Sequence, residues 1–503
     1  MSGYTCRYSG CSSIDDQIDE ISSNIEPYVF YDKYIATRTP VKFRDILNDE
    51  SWKIPGSLDT FEKMFVEGMK AQGSGNVSDI IKVEERASAE DRFGEGSELR
   101  MKFVDFLGEM KRNNNLLYMT TQAITATEGL EGADETVRPA IVSPPLTALV
   151  DAFPIRPKLM GNLIPANLNL WLGCHSGGSG FSSSGLHHDY HDNLYVLLKG
   201  TKEFTLISPG HHEALYPVGE VARVHPNGRF NYEGELTESD GSHSSSLKAF
   251  LANQKLAAAA AADADYDQDD DEDAVDAALQ DVLDAECAGE YDDSYGDSDG
   301  GSSEEEDGSG VFGLPSTLSA AALKSVVAKP DGAAARKRKG EAGLVTDTAD
   351  DKRLRAEDPA EAQTVRENYP PNFSRLGTNV ADLARQYMRG EGGNEFPLFK
   401  KLVSSSSSKL AADVIPNVSV VTLSAGEMLY LPAGWYHEVR SSGSTATQQT
   451  DESGKDVHMA FNYWFHPPDN CANEKRETVT GFTHPYSSDF WMLDWQQRVK
   501  EKL

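Results

Sequence analysis

This 503-residue chain has little cysteine, no long apolar run and, over one long stretch, no basic side chain at all. No segment approaches the roughly 20 apolar residues that span a bilayer. The opening "MSGYTCRYSGCSS" has no apolar core of the kind a secretory leader needs. A soluble, intracellular protein is therefore expected, with no membrane partner. The five cysteines (Cys6, Cys11, Cys174, Cys287, Cys471) contain no CxxC pair and no even disulfide framework. Cys6 and Cys11 could supply half a metal site but read more simply as tail residues. Between Lys255 and Lys324 there is no Lys or Arg, while 21 acidic side chains fall between Asp263 and Asp307. That block supplies most of the net charge of −33. A negative surface repels phosphate, so direct nucleic-acid binding is disfavoured.

What is present divides the chain into five parts: a tail (1–27), a mixed region (28–235), a low-complexity acidic insertion (236–363), a second ordered region (364–470) and a C-terminal helical segment (471–503). In the mixed region "SLDTFEKMFVEGMK" spaces Leu58, Phe61, Met64 and Phe65 as a helix capped by Ser57, and "KFVDFLGEMKRN" is a second helix. "NNNLLYMTTQ" and "ANLNLWLGC" read as strands. The insertion has little apolar material to offset its ordering entropy and is expected to be disordered, with "DAVDAALQDVLDAE" as a transient helix. Beyond it come a helix, "VADLARQYMRG", and strand-like segments "SVVTLSAGEMLYLPAGWYHEV" and "HMAFNYWF". Short strands set off by Gly and Pro turns suggest a β-sandwich or barrel, one domain interrupted by a loop.

The chemistry is concentrated near "GLHHDYHDNLYVLLKGTKEF". Residues two apart on a strand share a face, so His187 and Asp189 project together and His188 does not. A His-x-Asp pair alone is ordinarily surface polarity; with one further histidine it is a facial triad suited to iron(II). His437, fed into an apolar strand by a Pro-Ala-Gly turn, is the candidate. "NLYVLLKGTKEFTLIS" reads as a hairpin whose second strand turns Thr201, Glu203 and Thr205 to solvent and Lys202 inward. A buried, unpaired ammonium demands an anion, and a bound carboxylate would supply it.

The blocks "HHDYHDNLYVLLKGTKEF", "AGEMLYLPAGWYHEV" and "MAFNYWF" resemble the signature segments of JmjC-domain 2-oxoglutarate oxygenases. They are nearest in wording to the small JmjC-only hydroxylases, such as factor inhibiting HIF and the jumonji-domain lysyl hydroxylase of GTPases. The resemblance covers residues 28–235 and 365–470. It implies a mainly β fold with flanking α, a double-stranded β-helix of the jelly-roll or cupin type, preceded by an α/β N-terminal region and interrupted by the insertion. It also implies iron ligands His187, Asp189 and His437, with Fe(II) as cofactor and 2-oxoglutarate as cosubstrate alongside O2. Lys202 would hold the distal carboxylate of 2-oxoglutarate, helped by Tyr118 and Ser184. Asn193 and Asn462 would lie near its metal-chelating end, and parity puts Asn462 on one face with Ala460 and Trp464. His188 and His191 have no role in this pattern and read as solvent-facing or as lying just behind the ligands; His211, His212, His458 and His466 read as surface or loop residues.

The activity so implied is hydroxylation of a protein side chain, lysine first, with release of succinate and CO2. The substrate would be a translation-associated GTPase or another lysine-containing protein. N-methyl-lysine demethylation, tRNA-base hydroxylation and a catalytically inactive cupin-like binding module are the alternatives. The first is lowered by the absence of a visible reader domain and the second by acidic charge; complete metal and lysine positions argue against the third. "RKRK" (336–339) and "KRLR" (352–355) form a bipartite import pattern, so a nuclear as well as a cytoplasmic location is expected. "SSDFWMLDWQQRVKEKL", with Phe490, Leu493 and Val499 at helical spacing, is a candidate homodimer helix.

Overall fold

The computed structural model describes residues 18–72, 78–88, 96–120, 122, 141–174, 182–263, 278–282, 369–404, 417–442, 457–470 and 478–501. By Cα proximity the chain divides into Met1–Gly313 with Pro370–Leu503, and Leu314–Tyr369; the elements below all lie in the first unit.

In chain order the first half runs β1 (Glu20–Ile21), α1 (Pro27–Phe30), β2 (Val41–Phe43), α2 (Leu58–Gln72), β3 (Ile80–Glu85), β4 (Ser97–Lys102), α3 (Phe103–Lys111) and β5 (Leu117–Met119). There follow β6 (Pro165–Cys174), β7 (Ser182–Ser183), β8 (His187–His188), β9 (Asp192–Lys199), β10 (Thr201–Ile207), β11 (Val221–Val224), β12 (Phe230–Tyr232) and α4 (Ser244–Asp263). The second half contributes α5 (Val380–Met388), α6 (Pro397–Ser404), β13 (Val418–Ser424), β14 (Met428–Leu431), β15 (Tyr436–Ser442), β16 (Val457–Phe465), α7 (Thr478–Thr483) and α8 (Phe490–Glu501). No helix is long and apolar enough to cross a membrane among the described residues.

The described strands build two facing sheets and a separate two-stranded one, β11-β12. The larger has the order β1-β2-β14-β9-β16-β6-β5-β3-β4; the smaller is β13-β10-β15, with β7 and β8 both pairing to β15. Strands from after the acidic stretch interleave with earlier ones, β14 and β16 on either side of β9 in the larger sheet and β13 and β15 on either side of β10 in the smaller, a jelly-roll arrangement. Period-two alternation assigns the faces. Tyr195, Leu197 and Ala460 of the larger sheet meet Phe204, Leu206 and Leu423 of the smaller in the interior. Leu194, Val196, Phe461 and Tyr463 turn outward onto Phe61, Phe65, Phe103 and Phe106 of α2 and α3. Ile207, Val420 and Tyr436 on the outer face of the smaller sheet are covered by Val380, Ala384 and Phe399 of α5 and α6.

Three expectations are corrected. "NLYVLLKGTKEFTLIS" is no hairpin: β9 pairs with β14 and β16, and β10 with β13 and β15. Gly200, at φ 85°, turns the chain from one sheet to the other, a left-handed conformation that glycine adopts without strain. Thr205 does not face solvent. It is fully buried, because α5 and α6 from the far half of the chain cover that face. Residues 236–263, assigned by composition to the disordered insertion, form a turn and the 20-residue α4. Sparse anchors suffice: Phe250 packs edge-on against Phe490, and the Trp491 indole donates to the Asp240 carbonyl at 3.1 Å. The expected helix in "DAVDAALQDVLDAE" is described at 278–282, where Lys255 meets Asp281 at 2.7 Å. The import pattern and the rest of the acidic run lie outside the described residues. On α8 Phe490, Trp491 and Asp494 are buried, while Leu493 and Val499 are exposed.

Candidate metal centre

His187 on β8 and His437 on β15 are Cα partners across antiparallel strands, so both rings emerge on the interior side of the smaller sheet. Asp189 follows β8 immediately. One ligand atom from each of His187, Asp189 and His437 lies within 4.8 Å of the others, and His437 Nε2 is 3.8 Å from Asp189 Oδ2. The two imidazoles are oriented alike. His187 Nδ1 sits 3.0 Å from the Gly185 carbonyl, and His437 Nδ1 3.0 Å from the Trp435 carbonyl. A carbonyl only accepts, so each Nδ1 carries the proton and each Nε2 presents its lone pair. Two neutral imidazole nitrogens and one carboxylate are the donor set of a divalent transition metal, with coordination positions left for small ligands. The residues present fit iron(II).

Backbone anchors hold these ligands in place. The Gly434 amide donates to the Asp189 carbonyl at 2.9 Å, tying the Pro-Ala-Gly turn to the carboxylate ligand. Gly434 has φ 78°, and a Cβ there would meet the Gly228 carbonyl oxygen at 1.9 Å, so only glycine fits. Asp192, fully buried, receives Arg38 through both terminal guanidinium nitrogens, the Tyr430 hydroxyl at 2.7 Å and the Ala433 amide at 2.9 Å. The Trp435 indole returns to the Arg38 carbonyl at 3.0 Å. The turns that follow Asp189 and precede His437 thus share one buried ion pair. Beside His437, the buried Glu438 points to the opposite face and accepts from the amides of Asn379 (2.6 Å) and Val380 (2.7 Å), fixing the start of α5.

Deeper in the same sheet, Lys202 faces inward as its parity predicts, 2% exposed. Its ammonium donates to Ser441 Oγ and meets no carboxylate among the described residues. Burial lowers its pKa to about 7. A site that keeps a lysine this dry and unpaired fits an acidic cosubstrate, for which the charge-assisted bond would restore the ammonium. Tyr118 on β5 lies in register with Gly173, its ring 5.8 Å from His458 and 6.5 Å from Trp171; burial raises its pKa. Its hydroxyl in turn helps to raise that of the interior Tyr195. Ser184, expected beside Lys202, instead engages the backbone: its hydroxyl accepts from the Val439 amide and donates to the Gly185 carbonyl, both at 2.9 Å. The residue in register with Ser441 is Ser182.

Asn193 and Asn462 are brought together with Asp189 of the candidate triad. Asn193 Nδ2 donates to Asp189 Oδ2 at 3.3 Å, and Asn462 Nδ2 donates to Asn193 Oδ1 at 3.1 Å. Beside them Asn169, 2% exposed, has no hydrogen-bond partner on either amide atom among the described residues. Neither Asn169 nor Trp171 was singled out from the sequence. The signal was there in "ANLNLWLG", whose Asn167, Asn169 and Trp171 alternate with leucines. Asp192 and Glu438 carry no such signal, because their partners are distant in sequence.

Four histidine expectations resolve differently. His188 is fully buried, 2.7 Å from the Tyr232 hydroxyl, and burial lowers its pKa to about 3, so it is a neutral core residue. His191 stacks on Trp464 at 5.7 Å, at the metal end of the interior. His458 and His466 are not surface residues: they are 1% and 7% exposed, the first on an interior strand position, the second stacked on Trp491 at 3.3 Å. Strand parity buries one, and the C-terminal helix covers the other.

Comparison with known proteins agrees with this geometry. A family model described as a cupin-like domain matches residues 27–471. The JmjC domain-containing protein 4 of Schizosaccharomyces pombe is 33% identical over 471 residues, spanning 92% of this chain and 86% of that protein.

Proposed function

We propose that this chain, which belongs to the cupin-like JmjC family, is an iron(II)- and 2-oxoglutarate-dependent oxygenase that hydroxylates a protein side chain, lysine first. The family is generally one of iron and 2-oxoglutarate oxygenases. The observation that carries the reading is one interior face bearing both the His187–Asp189–His437 group and the unpaired Lys202. Iron(II), 2-oxoglutarate and dioxygen would together supply the oxidising chemistry, ending in succinate, CO2 and a hydroxylated side chain.

The chain's own residues do the positioning. His187, His437 and Asp189 would hold the metal, with both imidazoles pre-set to the Nδ1–H tautomer by their carbonyl contacts. Lys202 would pair with the distal carboxylate. Asn193 and Asn462 present N–H groups beside Asp189, where a 2-oxo acid's other carboxylate would chelate. Phe204, Leu206 and Val439 exclude water between the two ends of the site. Such a site selects by length: the span from the metal ligands to an ammonium favours a dicarboxylate over a simple 2-oxo acid.

A translation-associated GTPase is the substrate class we favour, reached in the cytoplasm or nucleus, with the 336–355 pattern as the import route. The direct test is mass spectrometry of candidate lysine proteins incubated with enzyme, Fe(II) and 2-oxoglutarate. A gain of one oxygen, lost in His187→Ala, is expected; loss of a methyl group would identify a demethylase instead. Turnover that persists unchanged in His187→Ala would overturn the assignment.

A further inference from the structure

The interior amides are linked to one donor that can only give a proton. Trp171 Nε1 donates to Asn462 Oδ1 at 2.9 Å, Asn462 Nδ2 to Asn193 Oδ1 at 3.1 Å, and Asn193 Nδ2 to Asp189 Oδ2 at 3.3 Å. An amide can turn over and exchange its oxygen for its nitrogen, so a chain of two amides has two polarities. An indole N–H has no acceptor state. With a donor-only indole at its head and an acceptor-only carboxylate at its foot, the chain can run in one direction only, and both ends hold the amides in it.

The alternative is physically close. Asn169 faces Asn462 directly across β6 and β16, and both of its amide atoms are unpartnered among the described residues. Without the indole, Asn462 could turn to Asn169 in either sense and leave Asn193 Oδ1 without its donor. Asn193 would then be held by Asp189 alone, and the donor on Asp189 Oδ2 would be less firmly placed.

We propose that Trp171 is a positioning residue that sets the polarity of the Asn462–Asn193 pair. It thereby keeps a firmly held donor on Asp189 Oδ2, the carboxylate oxygen 3.8 Å from His437 Nε2, and fixes the pair's remaining N–H groups for an anionic cosubstrate. The proposal rests on the iron and 2-oxoglutarate reading above. It adds a role for a residue two strands away from the nearest ligand, acting through other side chains and touching neither metal nor cosubstrate.

Cobalt(II) is the probe for the metal, because its visible absorption reports coordination number and geometry; 2-oxoglutarate itself is the second probe. Trp171→Phe keeps an aromatic ring and removes the N–H. Loss of partners one step beyond a metal ligand typically costs about 10–100-fold in affinity. We expect cobalt binding weakened by about that factor, an altered visible spectrum as Asp189 gains freedom to bind through both oxygens, and a raised 2-oxoglutarate Kd. Should Trp171→Phe fail to fold, 3-benzothienylalanine at position 171 preserves the bicyclic shape and deletes the N–H alone. A folded variant with the wild-type cobalt spectrum, and with both affinities within twofold of wild type, would overturn the proposal. Failure of wild type to bind 2-oxoglutarate would instead overturn the functional reading. A second variant, Trp171→Phe with Asn169→Leu, removes the competing amide; partial return of the cobalt spectrum is the expected sign that Asn169 captures the released Asn462.

Discussion

At the scale of single residues, Lys202 carries the sharpest physical conflict. Its pKa in the folded protein, about 7, lies below the ordinary 10.5. The folded state therefore bears the full cost of a buried ammonium below about pH 7, and that cost is relieved as pH rises toward 10.5. A bound carboxylate favours the charged form, so binding above pH 7 must draw a proton from solution. We expect the 2-oxoglutarate Kd to be flat below about pH 7 and to rise up to about tenfold per pH unit above it. Calorimetry in two buffers of different ionisation enthalpy reads the proton uptake; none at pH 8 would refute the lysine anchor. Lys202→Met should stabilise the ligand-free protein while weakening 2-oxoglutarate binding by about 2 kcal/mol or more, roughly 30-fold. Thermal unfolding with and without cosubstrate separates the two effects. His188 follows strand parity: one residue from a candidate ligand, it is committed to the opposite face.

At the scale of elements, the centre depends on how turns are held rather than on the strands themselves. The Arg38–Asp192 pair joins the turn after Asp189 to the turn before His437. Removing one partner of such a buried pair typically costs about 3–5 kcal/mol. Asp192→Ala should lose that much in urea unfolding and weaken cobalt binding as well. An unchanged cobalt affinity would show that the turns hold without it. Gly434→Ala must relieve both a clash with the Gly228 carbonyl and a left-handed φ. A cost of about 1–3 kcal/mol is expected, together with displacement of the Asp189 carbonyl contact. Glu438→Ala leaves the Asn379 and Val380 amides unmatched and should expose residues 369–404 to proteolysis before global unfolding.

At the scale of the whole molecule, every described strand lies between residues 20 and 232 or between 418 and 465. Strands of the two sets are hydrogen-bonded side by side at the centre of both main sheets, so neither half closes a core alone. Replacing residues 283–368 with a flexible linker should leave cooperative unfolding and cobalt affinity intact, as circular dichroism and metal titration would show. Loss of folding in that variant would mean that the acidic stretch takes part in the core.

The sequence by itself determined the local terms. Alternation placed Lys202 and Asn462 inward, helical spacing placed Leu58, Phe61 and Phe65 on a buried face, and three motif blocks identified the family. These follow from backbone periodicity, which acts between near neighbours. Tertiary structure decided the rest. The Lys-Gly turn became a crossing between sheets because β9 and β10 have better partners elsewhere. Thr205 and His466 became buried because helices from distant parts of the chain cover them. The order of residues 236–263 came from contacts with the C-terminal helix, and Ser184 turned to the backbone of a strand 255 residues away. Each of these outcomes depends on partners brought together only by folding, and local composition holds no record of them.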